Sequence, residues 1–332
     1  MGRSFLRQSY WLCHRALYLA NDITANGSNK FEGPFPNGSW SLNSLIMLDA
    51  FRYHIHSSIP NGLFSLGVTS SAIENLTSII EPDLSNDALE GQLPRSVGKL
   101  CNLKVLYLEN NKFVGMISEA FESSIGVVSE VHFSNLTDLC ELLAYDNSVT
   151  LSVSPDWVAA FQLLVVDLRS WTLGPTFPMW LRTQSDYYRM DLSSTGISDK
   201  MPIWFWNLSS DFLYMNVSHK QIYGEIPDLL HIQHSSMIYL GSNRFNRPLP
   251  RISSTVMELD ISNNSFYGNI SRLLCHSVDA PNSLTILHLG ENLLSGKIHN
   301  CWMDWALLEV IKLGNNNLTG EIPSSMGTLL RI

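Results

Sequence analysis

The chain is short of charge. Only 15% of its 332 residues are charged, and the acids outnumber the bases by 30 to 21. With a formal net charge of −9 and no run of Lys or Arg, it lacks the basic footprint that nucleic-acid binding requires, so no nucleic-acid partner is expected. No window reaches the roughly 18 uninterrupted apolar residues of a membrane helix, and no membrane span is expected in this chain. The first residues make a poor secretory leader: Arg3 and Arg7 supply a basic start, but His14 and Arg15 interrupt the apolar stretch that should follow. Leu6 stands where N-terminal acylation favours Ser or Thr. Catalytic signatures are missing as well. There is no Gly-x-Ser-x-Gly, no phosphate loop and no kinase set, and the acids are scattered without an evident acid/base pair. His54 with His56, and His231 with His234, have spacings a metal could use, but without further ligands they read as solvated turn residues. Neither an enzyme nor a metal or other cofactor is expected.

What the chain does have is periodicity. Between Leu308 and Pro323, apolar residues fall at Leu308, Ile311, Leu313, Leu318 and Ile322, with Asn316 and Gly320 at fixed places between them. Moving back 24 residues gives Leu284, Leu287, Leu289, Asn292, Leu294, Gly296 and Ile298. Agreement of residue type at one constant offset marks a leucine-rich repeat, the signature of a solenoid. Further units begin at Leu45, Ile79, Leu103, Leu139, Leu163, Tyr187, Phe212, Ser235 and Val256, and half a unit runs from Asn29 to Pro36. That makes about twelve units over residues 21–332, with irregular spacing near 60–78, 118–138 and 235–283. Residues 1–20 fit no unit and are expected to form a non-repeat segment.

The physics of one unit sets the expected fold class, an α/β leucine-rich-repeat solenoid: a curved right-handed superhelix with a parallel sheet on its concave face. Each Leu-x-Leu core makes a short strand whose leucines point inward while alternate residues face solvent. One coil cannot bury enough apolar surface to offset the ordering of its own backbone, so coils are stable only when stacked. A ladder of inward asparagines (Asn111, Asn147, Asn243, Asn264, Asn292 and Asn316) is expected to satisfy backbone groups that the sharp bend leaves unpaired. Trp171 and Lys220 occupy the same ladder position and cannot make an amide's paired contacts, so local widening or an outward flip is expected there. Trp204 and Trp206 are expected to pack on the convex side.

The surface offers the candidate site. Tyr107, Leu143, Asp167, Asp191, Asn216, Tyr239, Asp260, His288 and Lys312 should form an outward stripe along successive strands, with Glu109, Tyr145 and Arg169 one step further along. Aromatics interleaved with charges suit recognition of a protein or peptide ligand; the bland reading is a solvated face. Nine Asn-x-Ser/Thr sequons occur, at Asn26, Asn37, Asn75, Asn135, Asn207, Asn216, Asn263, Asn269 and Asn317, of which Asn216 and Asn263 should lie on concave strands. Cysteine usage is odd, with five in all. Cys275 and Cys301 sit at similar phases of neighbouring coils, close enough for a disulfide; two free thiols fit the sequence equally. Cys101 reads as a small buried hydrophobe, and Cys13 and Cys140 have no evident partner.

Four stretches carry a resemblance: Leu-Gly-Pro-Thr-Phe-Pro-Met-Trp-Leu-Arg-Thr-Gln (173–184), Ile-Trp-Phe-Trp-Asn-Leu-Ser (203–209), Tyr-Gly-Glu-Ile-Pro (223–227) and Leu-Leu-Ser-Gly-Lys-Ile-His-Asn-Cys-Trp (293–302). Together they resemble plant leucine-rich-repeat receptor-like proteins, especially the group that perceives fungal elicitors such as xylanase, over roughly residues 79–332. The resemblance implies a ligand-recognition ectodomain on the extracellular side of the plasma membrane. It would sense a microbial elicitor or peptide in plant defence and signal through partner receptor kinases. Trp171 stands where that family usually has Cys, and His299 where it has the Pro of Ile-Pro. The chain accordingly resembles an interior fragment or a shortened, diverged copy. Two other readings remain open: a secreted inhibitor of a microbial cell-wall hydrolase, and a truncated copy without function.

Overall fold

The computed structural model describes residues 33–34, 46–52, 55–59, 79–114, 127–207, 212–275 and 282–329. The expected non-repeat segment 1–20 and the irregular stretch 60–78 lie outside the described residues. The chain divides into two compact units, Met1–Val149 with Ala160–Gln162, and Thr150–Ala159 with Leu163–Ile332.

In the first unit four parallel strands lie side by side in chain order: β1 (Met47–Asp49), β2 (Glu81–Asp83), β3 (Val105–Tyr107) and β4 (Glu141–Leu143). The second unit has seven, again parallel and in chain order. They are β5 (Val165–Asp167), β6 (Arg189–Asp191), β7 (Tyr214–Asn216), β8 (Ser236–Tyr239), β9 (Val256–Asp260), β10 (Ile286–His288) and β11 (Val310–Lys312). Alternation along each strand decides its orientation. The middle residues Leu106, Leu142, Val166, Met190, Met215, Ile238, Leu259 and Leu287 are at most 5% exposed. A second apolar column, from Leu84 and Leu108 in the first unit to Leu168, Leu192, Val217, Leu240, Ile261 and Leu289 in the second, is sealed as fully. Each unit is thus a stack of coils sharing one leucine-rich interior.

The way the chain leaves each strand is equally regular. Three residues past the strand's last outward position, one residue takes left-handed torsions: Arg52, Asn86, Asn110, Asp146, Ser170, Ser194, His219, Ser242, Asn263, Glu291 and Asn315, with φ from 50° to 68°. Several strands hand over to that turn through a side chain. Asp83, Asp191, Asn216 and Asp260 each accept the backbone N–H and the hydroxyl of the serine two residues on, at 2.6–3.0 Å. Such local bonds are what make Asp and Asn good turn residues.

The ladder residue comes next. In the first unit Asn147 Oδ1 accepts the Phe113 N–H, while its Nδ2 donates back to the Leu108 carbonyl of the preceding coil and the Ala144 carbonyl of its own. Asn111 does the same with Leu89, Leu84 and Leu108. In the second unit Asn243, Asn264, Asn292 and Asn316 repeat the pattern, each tying one coil to the one before. Of the two outcomes expected at Trp171 and Lys220, the outward flip does not occur: they are 3% and 7% exposed. The left-handed residue before each, Ser170 or His219, fixes the direction of the next side chain whatever its type. At Thr195, the ladder residue between them, the side chain reaches its own coil's Leu192 carbonyl, and the backbone carbonyl takes the Leu173 N–H that an asparagine would have taken.

Among the described residues the helical component is slight. The return segments are 3-10 turns, at Arg95–Lys99, Glu130–Phe133, Met179–Thr183, Ile203–Asn207, Trp302–Asp304 and Ser324–Thr328. Among the described residues one α-helical turn, α1 (Ser271–Leu274), lies in the longer coil that follows β9. Short 3-10 pieces suit a coil that must turn back within about two dozen residues. Trp206 packs here, its indole donating to the Glu225 carbonyl, and Trp204 lies against Phe177 and Phe205. Cys275 and Cys301 are joined in a disulfide, with Cα atoms 5.3 Å apart. Cys140, for which the sequence offered no partner, is also disulfide-bonded, whereas Cys101 is free and half-buried.

Candidate ligand-binding surface

Strand register lines up two outward rows in each unit. One row consists of the last residue of each strand: Asp49, Asp83, Tyr107 and Leu143 in the first unit, and Asp167, Asp191, Asn216, Tyr239, Asp260, His288 and Lys312 in the second. This is the expected stripe, now divided between the units. Glu109, Tyr145 and Arg169 lie two residues beyond, past the strand ends. The other row sits two residues earlier and was not anticipated. It brings Glu81 and Glu141 to the face of the first unit, and Arg189, Tyr214 and Glu258 to that of the second. The period-2 alternation that located the stripe marks this row too, since residues i and i−2 share a face.

The second unit's face is a connected network. Asp167, 1% exposed, is paired with Arg169 Nε at 3.1 Å and Arg189 Nη2 at 3.7 Å. Burial, helped by Asp191, pushes its pKa up to about 6 against the pull of both arginines. The Arg189 guanidinium lies over the Tyr214 ring, 4.2 Å from its centre. Tyr214 donates its hydroxyl hydrogen to Asp191 Oδ2 at 3.0 Å, and Asn216 donates to the same oxygen at 3.2 Å. Tyr214 and Tyr239 lie with ring centres 5.4 Å apart, and the Tyr239 hydroxyl is hydrogen-bonded to Glu258. Burial raises the Tyr214 and Tyr239 hydroxyl pKa values, so both stay neutral donors. Further along, His288 Nδ1 stands 3.5 Å from Asp260 Oδ2. Here a groove of about 690 Å³ opens, lined by Asp260, Ser262, His288, Glu291 and Lys312 among others.

Among the described residues, the outward rows of the first unit carry acids and no base. Glu81, Asp83 and Glu141 all have raised pKa values, burial being the largest cause and a neighbouring carboxylate adding to it in each case. Glu141 is pushed up to about 7. The Tyr107 hydroxyl is raised by burial and by Glu141, Glu81, Asp83 and Glu109 together.

The glycosylation candidates separate by position. Asn26, Asn37 and Asn75 lie outside the described residues. Asn135, Asn207, Asn263 and Asn317 are exposed. Asn263 is not on a strand as expected but three residues past β9, because the left-handed turn falls on it. Asn216 is on β7, with its amide bound to Asp191 and its carbonyl oxygen to Ser218, and Asn269 bonds Ser271 and Lys297. As for chemistry, no group of three His, Cys, Asp or Glu among the described residues could hold a metal ion. No described helix is long and apolar enough to cross a membrane. The arrangement presents aromatic and charged side chains, several of them bonded to one another, on an outward face.

Comparison with known proteins agrees with the architecture. The Leucine Rich Repeat family matches residues 102–124 and 307–329. Receptor-like protein EIX2 of Solanum lycopersicum is 33% identical over 251 residues, covering 61% of this chain and 24% of that protein. Receptor-like protein EIX1 of the same plant is 39% identical over 132 residues, 40% of this chain and 13% of its own length. The chain therefore spans about a quarter or less of these relatives. Among solved structures, the leucine-rich-repeat ectodomain of the receptor kinase GASSHO1/SCHENGEN3 from Arabidopsis thaliana superposes with a TM-score of 0.64. It is 22% identical, and the match covers 91% of this chain and 39% of that one. The chain is a leucine-rich-repeat protein similar to plant receptor-like proteins.

Proposed function

We propose that this chain is the ligand-recognition part of a plant receptor-like protein, and that it binds a polypeptide along the outward rows of its sheet rather than catalysing a reaction. One observation carries the reading: on the second unit, Arg189, Tyr214, Asp191 and Asn216 hold one another in place before any ligand arrives. Side chains already ordered lose little entropy on binding, and Tyr and Arg are the residues that most often anchor interfaces. Tyr107, Glu109 and Tyr145 on the first unit, and Asp167, Arg169, Asp191, Tyr239, Asp260, His288 and Lys312 on the second, are the proposed ligand contacts. Likeness to the tomato receptor-like proteins supports a place on the extracellular side of the plasma membrane. The ligand would be a microbial elicitor or peptide sensed in defence, and the signal would pass on through a partner receptor kinase.

The test is selection of binders from a displayed random-peptide library on the full chain, followed by affinity measurement on Tyr214→Ala/Tyr239→Ala. Selected peptides should lose roughly tenfold or more in affinity. Selection that yields no binder, or binders indifferent to the double substitution, would sink the reading.

A further inference from the structure

The carboxylates on the first unit's face do not by themselves imply a ligand; Glu141 adds the observation that does. It is 2% exposed, and its Oε1 has no hydrogen-bond partner. Burying a carboxyl oxygen without a partner costs free energy that a fold normally avoids. The charged group that most affects Glu141 is another acid, Glu81, which lies across β3 from it in the register. Tyr107, half-buried between the two strands, feels Glu141, Glu81, Asp83 and Glu109 and no base. The buried acid on the second unit's face, Asp167, stands one row over and also has an unbonded oxygen, Oδ2, but Arg169 and Arg189 lie beside it.

We infer that this face takes a cationic side chain, the guanidinium or ammonium of an Arg or Lys in a polypeptide ligand, seated against Tyr107 and beside Asp83, with Glu81 and Glu141 in the adjoining row. The inference rests on the polypeptide-binding reading above and names the ligand feature that the first unit selects. The half-buried Glu81, Asp83 and Tyr107 make the contact. The cation's charge supplies Glu141 with the partner it lacks, because attraction across a water-poor surface is weakly screened. A tyrosine ring flanked by carboxylates suits an organic cation, whose delocalised charge can also lie on the aromatic face. A metal ion fits poorly, since no three ligating side chains among the described residues converge.

The experiment is fluorescence anisotropy on the full chain with labelled Gly-Arg-Gly-Arg-Gly, its citrulline counterpart and spermine. The arginine peptide should bind, the citrulline peptide should not, and added salt should weaken binding. Glu141→Gln and Glu81→Gln should each reduce affinity roughly tenfold. Glu225→Gln, which removes one exposed charge from the second unit, should change affinity by less than about twofold. Glu81 is half-exposed, so its substitution tests the site even where Glu141→Gln disturbs packing. Equal binding of the citrulline peptide, no binding of the arginine peptide, or losses no larger than that of Glu225→Gln would overturn the inference. Tighter binding of spermine than of the peptide would overturn the assignment to a polypeptide. Where library-selected peptides bind normally but the arginine peptide does not, this inference alone falls; loss of both removes the receptor reading as well.

Discussion

Asp167 and Glu141 start from the same predicament. Each sits on the outward face of a short strand, each is at most 2% exposed, and burial raises the pKa of each. The second unit places bases beside the acid: Arg169 bonds Asp167 Oδ1, and Arg189 stands 3.7 Å from Oδ2, which makes no hydrogen bond, while also lying over the Tyr214 ring. The first unit leaves Glu141 beside Glu81 with Oε1 unpaired. The same coil geometry therefore supports two kinds of surface, one in which bases stand beside the buried acid and one in which its charged neighbour is another acid.

The largest expected effects should not distinguish the units, because their interiors are built alike. Asn147→Ala in the first and Asn243→Ala in the second each strand one N–H and several carbonyls. Each should cost about 3 kcal/mol in chemical denaturation. A cost below about 1 kcal/mol at one site only would break the claim of a common interior.

Acid titration should separate them. A carboxyl whose folded-state pKa lies above its unfolded value binds its proton more tightly when folded. Its favourable contribution is complete at low pH and disappears as pH rises through the folded value. For Asp167 that window runs from its ordinary 3.8 to about 6, and for Glu141 from 4.5 to about 7. Between pH 6 and 7, Glu141 should therefore dominate the remaining slope. Glu141→Gln should flatten it and raise stability at pH 8 by up to about 3 kcal/mol, read from denaturation midpoints across pH. An unchanged slope in that variant would mean that Glu141 has a partner after all.

Lys220 gives a smaller effect of the same kind inside the second unit. Its Nζ is buried without a hydrogen-bond partner, and desolvation holds its pKa well below the ordinary range, opposed by Asp191. Lys220→Asn should restore the ladder contacts seen at Asn243 and stabilise the chain by about 1–2 kcal/mol in thermal or chemical melts. Destabilisation would show that the ammonium is needed where it is.

Much of this was legible in the repeat. Residues that recur every coil report a backbone requirement, so the six ladder asparagines and the paired phase of Cys275 and Cys301 could be read directly. At Trp171 and Lys220 side-chain chemistry alone allows an outward flip that does not occur, because the left-handed residue ahead of each sets its direction. The same left-handed turn, falling on Asn263, takes that residue off the strand expected for it. Neighbours such as Arg189 and Asp167 on adjacent coils, or Glu141 and Glu81 two coils apart, depend on which residues come into register. Coils of unequal length hide that from a fixed 24-residue offset.

Arg189 should give the smallest change in stability and the most informative one. Its side chain is 37% exposed, its contact with Asp167 is long at 3.7 Å, and its other partner is the face of the Tyr214 ring. A half-exposed ion pair and a half-exposed cation–π contact each contribute about 0.5–1 kcal/mol, so Arg189→Met should cost no more than about 1 kcal/mol in denaturation. Binding should respond more strongly. Without the guanidinium over its ring, Tyr214 keeps its hydroxyl bonds with Asp191 and Asn216 and its contact with Tyr239 but loses the brace on the ring face, so more of its ordering falls to the binding step. Peptides selected on the second unit should then bind several-fold more weakly to Arg189→Met, while the arginine probe for the first unit binds as before. Equal losses for both probes would mean that the two faces are not independent, and the contrast between them would have to be abandoned.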